Sequence, residues 1–306
     1  MWHNKDILWK GLLEWVFDDL LRFVFPEAEQ VFDWSVPGVF MDKEFERLCP
    51  EPKDGTTIRV VDKLAKVKLR KRGKKYALIH VEAQGQTKKK GRSEFGKRML
   101  QYYMLISSKH PLPLSSIAIF TGGDGHLFPE SYTYSFLNTR LPFQYNTINI
   151  RDHSDEKLGS SENPFAWVML IAKQALLRGK NRDYRLLEKK WIIFKKLYYK
   201  GLFEDRKLQA ILLFMDRYVP FEDPEISRTF RERMDSLTGK KNTMDIFEQV
   251  AEMKIEEAKL EGQKEAKDAV IRNLLETSEF SDEKIASVAE VSVNVVAAIR
   301  KQRRAR

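Results

Sequence analysis

Glu82 and Gln84 stand inside Leu78-Ile79-His80-Val81-Glu82-Ala83-Gln84, a run otherwise apolar enough to be a buried strand. Successive side chains of a strand alternate faces, so an acid and an amide two positions apart project together from one side. A carboxylate among apolar neighbours is costly unless a cation or a hydrogen-bond network receives it. Asp62 closes a second apolar run, Val60-Val61-Asp62-Lys63-Leu64, and a hairpin would bring it across from Glu82. Two carboxylates and an amide at one sheet edge would make a divalent-metal site. Mg²⁺ takes oxygen ligands, keeps several waters and is commonly held by one or two carboxylates. Asp62 and Glu82 would provide these, the Ala83 carbonyl a third oxygen, and Gln84 a hydrogen bond to an attacking water or a phosphate oxygen. Glu44, on a preceding helical piece, would reach the metal through water.

An ordinary structural role fits the same residues. Asp62 could cap a turn or pair with Lys63, and Glu82 could pair across strands with Lys66 or Lys68, as hairpin acids often do. His80 shares the Glu82 face but has no second histidine at metal spacing, which favours packing or hydrogen bonding. Local charge favours the site. Between Arg59 and Lys109 there are sixteen Lys/Arg and three acids, giving +13 and leaving −3 for the rest of a chain whose net charge is +10. Such a field attracts polyanions and neutralises phosphates. Lys66 and Lys68 on the hairpin, and Lys88, Lys89, Lys90 and Arg92 in the next loop, would grip a backbone. Arg98 and Tyr102, four apart on the following helix, would add a phosphate contact. Tyr103 reads as core.

Asp62 followed by Glu82-Ala83-Gln84 resembles the D…(D/E)xK pattern of the PD-(D/E)XK nuclease superfamily. More narrowly, the chain resembles the Rpn recombination-promoting nucleases, also described as transposase-like proteins. Phe40-Met41-Asp42-Lys43-Glu44, Val61-Asp62-Lys63-Leu64, His80-Val81-Glu82-Ala83-Gln84 and Arg98-Met99-Leu100-Gln101-Tyr102 carry the likeness. Lys189-Lys190-Trp191 with Leu197-Tyr198, Glu261 to Glu265, Ile285-Ala286 and Val291-Ser292-Val293 extend it along the chain. The resemblance implies a restriction-endonuclease-like core, Mg²⁺-dependent DNA cleavage with Mn²⁺ as a substitute, and a role in recombination, mobile elements or defence. It makes Asp62 and Glu82 metal ligands and sets Gln84 at the superfamily's lysine position. Glutamine brings a neutral amide where lysine brings a fixed charge. Val61 stands where a proline often precedes the aspartate.

The elements that would position these residues are legible in outline. Apolar residues recur every three or four places from Lys5 to Phe25, predicting a helix that Pro26 ends. A short helical piece is expected around Phe40 to Phe45. Thr57 to Leu69 and Lys75 to Ala83 read as strands joined at Arg70-Lys71-Arg72-Gly73-Lys74. A basic loop, Gln86 to Arg92, leads to a helix from Ser93 to Ser107, then strands Ser116 to Phe120 and Tyr145 to Ile150. This order predicts a mixed α/β core over 1–155. Beyond it come helices Ala166 to Leu177, Leu186 to Lys200 and Asp205 to Tyr218 within a helical extension, 156–240. A polar helix or spacer follows over 241–278, where the narrow stripe from Met244 to Ala266 would suit a homodimer contact. A helix-turn-helix-like basic tail, 279–306, ends at Arg306, with Ser281 as a helix N-cap.

The 306-residue chain has one cysteine, Cys49, and hence no internal disulfide. The N-terminus lacks the form of a secretory signal, and the longest apolar run, Ala166 to Ala172, is too short to cross a bilayer. DNA as partner, no membrane and a cytoplasmic setting are the expectations.

Overall fold

The computed structural model describes residues 2–41, 61–70, 75–85, 89–122, 129–201, 205–239, 267, 270–275 and 280–304. The chain divides into two compact units, Met1–Lys241 and Asn242–Arg306.

In the first unit a five-stranded mixed sheet has the order β1-β2-β3-β4-β7. Its strands are β1 (Val39–Phe40), β2 (Val61–Lys68), β3 (Tyr76–Gln84), β4 (Leu114–Phe120) and β7 (Asn146–Asn149). The first three pair antiparallel; β3/β4 and β4/β7 are parallel. Parallel pairing of β3 and β4 needs a crossover, and helix α3 (Lys89–Lys109) supplies it. Helix α1 (Trp2–Val24), kinked at Val16, packs near β2 on the opposite face. There the buried Lys63 ammonium meets Glu14 of α1 at 2.7 Å and lies 4.6 Å from the Phe40 ring centre. Both faces of the central strands are therefore covered, and β3 is buried from Ala77 to Gln84.

Residues 39–40 correct the expectation of a helical piece at Phe40. Val39 and Phe40 pair with Lys66 and Ala65, extending the sheet, and the Phe40 ring packs edge-on against Phe17 of α1 at 5.3 Å. The rest of that piece, including Glu44, lies outside the described residues. The basic segment is likewise not loop throughout, because α3 already includes Lys89, Lys90 and Arg92. No proline interrupts this stretch, and the helix runs on through it.

Helix α2 (Ala28–Val31) and the hairpin β5 (Ser131–Phe136)–β6 (Thr139–Gln144) were not foreseen. Neither were α4 (Asp155–Ser160) and α8 (Pro224–Thr238). The last two have local caps: Ser154 caps α4 and Asp223 caps α8, which also has proline in its first turn.

Helix α5 (Pro164–Gln174) is apolar on every side and buried accordingly, with Phe165 through Ala172 inside. Its cap, Asn163, accepts the Phe165 N–H at 2.8 Å and donates to the Asp19 carbonyl at 3.0 Å. Asp19 also accepts from Lys207 at 2.6 Å, joining α1 to α7 (Asp205–Tyr218). Trp9 packs edge-on against Phe214 and Tyr218 of α7, so the helical segment and the sheet share one unit.

Lys190, on α6 (Arg182–Lys200), is fully buried. Its ammonium lies 4.4 Å from the Phe221 ring centre and 5.5 Å from that of Phe230, with no hydrogen-bond partner among the described residues. Burial pushes its pKa down to about 8, against an upward pull from Asp216.

In the second unit, α9 (Asp282–Ala289) and α10 (Val293–Arg304) are joined by a short turn. Ile271, Ile285, Val296 and Ile299 form their apolar centre. Ser281 caps α9 as expected, and Arg300 pairs with Asp282 at 2.7 Å. The stripe from Met244 to Ala266 lies outside the described residues. Among the described residues no helix is long and apolar enough to cross a membrane.

Candidate active site

The alternation of β3 sends His80, Glu82 and Gln84 toward α3, while Ile79, Val81 and Ala83 fill the opposite face. The ladder register sets Asp62 opposite Glu82 and Leu64 opposite His80, and on the parallel side Ala118 opposite Glu82 and Phe120 opposite Gln84. Two clusters fix α3 over this row. Phe95 and Met99 pack with Ala118, Phe120 and Tyr145, and Ile106 packs with Leu64 and Leu78. The polar side chains thus lie between two apolar seals.

Into this gap α3 sends Arg98, whose side chain is 21% exposed. Its Nε and Nη2 donate to Glu82 Oε1 at 3.0 and 2.7 Å, and Nη2 also donates to Gln84 Oε1 at 2.8 Å. Glu82 itself is wholly buried. Charge-assisted bonds of this length are about twice as strong as neutral ones, and a buried carboxylate needs such compensation. The guanidinium also lies 5.2 Å from the Phe95 ring centre, so packing restricts it. By accepting from Arg98, Gln84 turns the NH₂ end of its amide away from the guanidinium.

His80 is fully buried, with its Nε2 3.7 Å from Glu82 Oε2 and its ring edge-on to Tyr102 at 5.5 Å. Burial pushes its pKa down to about 4, outweighing the pull of Glu82, and Arg98 lowers it further. It is therefore neutral at pH 7. Tyr145 donates its hydroxyl to the Pro129 carbonyl. Burial raises its pKa, and the charges of Glu130 and Glu82 add to that. Tyr145 stays protonated and closes the site toward the hairpin base. Thr121 secures the end of β3, its N–H reaching the Gln84 carbonyl at 2.8 Å.

The other expected residues are dispersed. Lys66 stacks on the Tyr76 ring at 4.6 Å, and Lys68 pairs with Asp33 at 2.8 Å. Both are beyond His80 on the ladder, and Arg98 takes the role of countercharge to Glu82. Lys89, Lys90 and Arg92 occupy the first turns of α3. Lys88, like Glu44, falls outside the described residues. Ala83 pairs with Val61 and Ile119 within the sheet. Tyr103 packs on Phe143 at 5.1 Å. Among the described residues no group of three His, Cys, Asp or Glu side chains is disposed to hold a metal; Glu44 is not among those residues, and Asp62 is described by its backbone alone.

Tyr145 and Thr121 were not read as site residues in the sequence, and no motif marks them. Comparison with family models, with curated proteins and with solved structures finds no match to this chain.

Proposed function

We propose that the chain is a metal-dependent DNA endonuclease, with a restriction-endonuclease-like core of the type its sequence resembles. One observation carries this reading: Arg98 bridges Glu82 and Gln84, in a row where Asp62 stands opposite Glu82. At the place where the superfamily keeps a lysine, a fixed positive charge is thus present, delivered by a helix instead of by the strand. A buried carboxylate opposed in register by an aspartate fits a divalent ion, which Asp62 and Glu82 would hold with the Ala83 carbonyl. Bound there, Mg²⁺ would supply Lewis-acid stabilisation of the phosphoryl oxygens and a more acidic water.

The chain's own groups supply the rest. Arg98 holds Glu82 in a single orientation and offers positive charge to a phosphate at the exposed part of its side chain. Gln84 accepts from Arg98 and so helps to set the guanidinium beside Glu82. Phe95 and Phe120 keep water from the rear of the carboxylate. The basic start of α3 would draw the DNA backbone, and α9–α10 would act as a helix-turn-helix that adds affinity. A homodimer would place two sites on two strands, and action in the cytoplasm on recombination intermediates, mobile elements or invading DNA fits the reading.

A second reading is a nuclease-fold DNA-binding or assembly protein with little catalysis. It is favoured by the neutral amide at Gln84 and by the engagement of Glu82 Oε1 with Arg98. Nicking of supercoiled plasmid under Mg²⁺ or Mn²⁺ separates the two. The endonuclease reading expects cleavage that Asp62→Ala and Glu82→Ala abolish. Salt-sensitive DNA binding without cleavage supports the second reading, and equal cleavage by the alanine variants removes the site assignment.

A further inference from the structure

The β5–β6 hairpin exposes apolar side chains toward its tip. Its register pairs Tyr132 with Phe143, Tyr134 with Leu141 and Phe136 with Thr139. Directly opposed residues share a face, so one side of the ribbon is aromatic and aliphatic. The other side carries Thr133, Ser135, Arg140 and Pro142. The lower part of the apolar face is anchored: Phe143 packs on Tyr103 and Tyr145 of the first unit. Beyond that anchor the apolar face has no cover among the described residues. Tyr134 is 45% exposed, Leu141 41%, Phe136 63% and Leu137, at the tip, 86%.

Leu137 is the anomaly. It is the first of two loop residues and has φ of 49°. The favoured two-residue hairpin turns need positive φ at this position, and glycine, asparagine or aspartate normally meets it. A leucine here accepts backbone strain and gains no burial.

The ribbon is also tied to the candidate site. At Gly96, two residues before Arg98, a Cβ would lie 3.1 Å from Tyr132 Cβ and 3.3 Å from the Ser131 carbonyl oxygen. The helix that holds Glu82 therefore seats the hairpin base. At strand rise, the tip stands about 17 Å beyond Tyr132.

We infer that the hairpin is a wedge for DNA, with Leu137 and Phe136 entering between base pairs at a distance from the carboxylate site and Tyr134 stacking on an exposed base. This rests on the proposed nuclease reading and extends it to a distorted duplex as substrate. Apolar wedges that part base steps are a recurrent device of DNA-bending proteins. Aromatic faces stack on bases of any sequence. Charge chooses between DNA and a second copy of the chain. Residues 131–144 contain Arg140 and no acid, and α3, which seats the hairpin base, carries six Lys/Arg against one acid. Two copies joined through this ribbon would bring two basic fields together, whereas a polyanion is attracted.

The test uses full-length protein, a duplex carrying 2-aminopurine and metal-free buffer, so no cleavage is needed. The parent should raise 2-aminopurine fluorescence several-fold. Leu137→Gly, which suits positive φ and should melt no lower than the parent, should lose most of that rise, as should Phe136→Ser. An undiminished rise with both variants overturns the wedge. So does loss of dimer by the variants, seen in sedimentation, with the DNA signal intact, which would mark a surface for a second copy. No DNA binding by the parent overturns it as well. Plasmid cleavage without unstacking would sink the wedge and leave the nuclease reading standing. Unstacking without cleavage would do the reverse.

Discussion

Arg98 donates to Glu82 twice, both bonds ending on Oε1, at 2.7 and 3.0 Å. The pair spans sixteen residues of chain, joins α3 to the centre of the sheet, and sits where a buried carboxylate would otherwise have lost its hydration. Arg98→Ala should therefore cost about 3–5 kcal/mol, the usual penalty for stranding one member of a buried pair. Urea unfolding measures it. If Asp62 and Glu82 hold a divalent ion, adding Mg²⁺ should restore more stability to Arg98→Ala than to the parent. An equal response in both proteins would detach the ion from this carboxylate.

Gln84→Lys would place an ammonium beside a guanidinium that already serves the same acid. The expected result is a loss of about 1–2 kcal/mol, typical of an uncompensated buried polar group. Combining it with Arg98→Ala should recover part of that loss, because the strand then provides the charge the helix no longer brings. A double-mutant cycle reads the coupling, and simple additivity would mean the two positions do not share one role.

His80 predicts a pH dependence. Its pKa is about 4 in the folded protein and 6.5 ordinarily. Between those values the unfolded chain binds a proton that the folded chain refuses, so stability falls as pH falls through this window. The contribution is roughly 2–4 kcal/mol. His80→Leu should flatten the slope between pH 6.5 and 4 in equilibrium unfolding. An unchanged slope would show that His80 charges within the fold.

Lys190 works in the opposite range. Burial lowers its pKa from 10.5 to about 8, with Asp216 and Asp183 favouring the charge and Arg182 opposing it. From pH 8 to 10.5 the unfolded chain holds the extra proton, so stability rises with pH there and the penalty is complete below pH 8. The ring faces of Phe221 and Phe230 offset part of it. Lys190→Met should stabilise the protein at pH 7 by roughly 1–3 kcal/mol and remove the alkaline gain. Thermal melts at pH 7 and 10 show whether the two proteins converge.

How much of this could be read from residues alone depended on burial. Glu82 and Gln84 were legible because a polar pair inside an apolar run violates the pattern, and strand alternation then sets their face. Their opposition to Asp62 followed from the hairpin, and the register agrees. The partner of Glu82 was less clear, because Lys66 and Lys68 offered charge across the hairpin while Arg98 read as a phosphate contact. Only the crossover of α3 selects Arg98. Phe40 read as helical because its neighbours are helix formers, yet two residues of edge pairing and one ring contact override that propensity. The β5–β6 hairpin went unread although Tyr132, Tyr134 and Phe136 alternate cleanly. Pro142 lies within the run and no glycine marks the turn, so the hairpin signal is weak, and an exposed ribbon tolerates both.

Asp19 carries a consequence for the order of synthesis. Its carbonyl waits for Asn163 and its carboxylate for Lys207, 188 residues downstream. The face of α1 around Trp9 likewise waits for Phe214 and Tyr218. An emerging chain can pair β2 with β3 early, but it cannot close the other side of its first helix until α7 has left the ribosome. A nascent chain halted near residue 155 would hold an assembled β2–β3 pair over an unsealed helix.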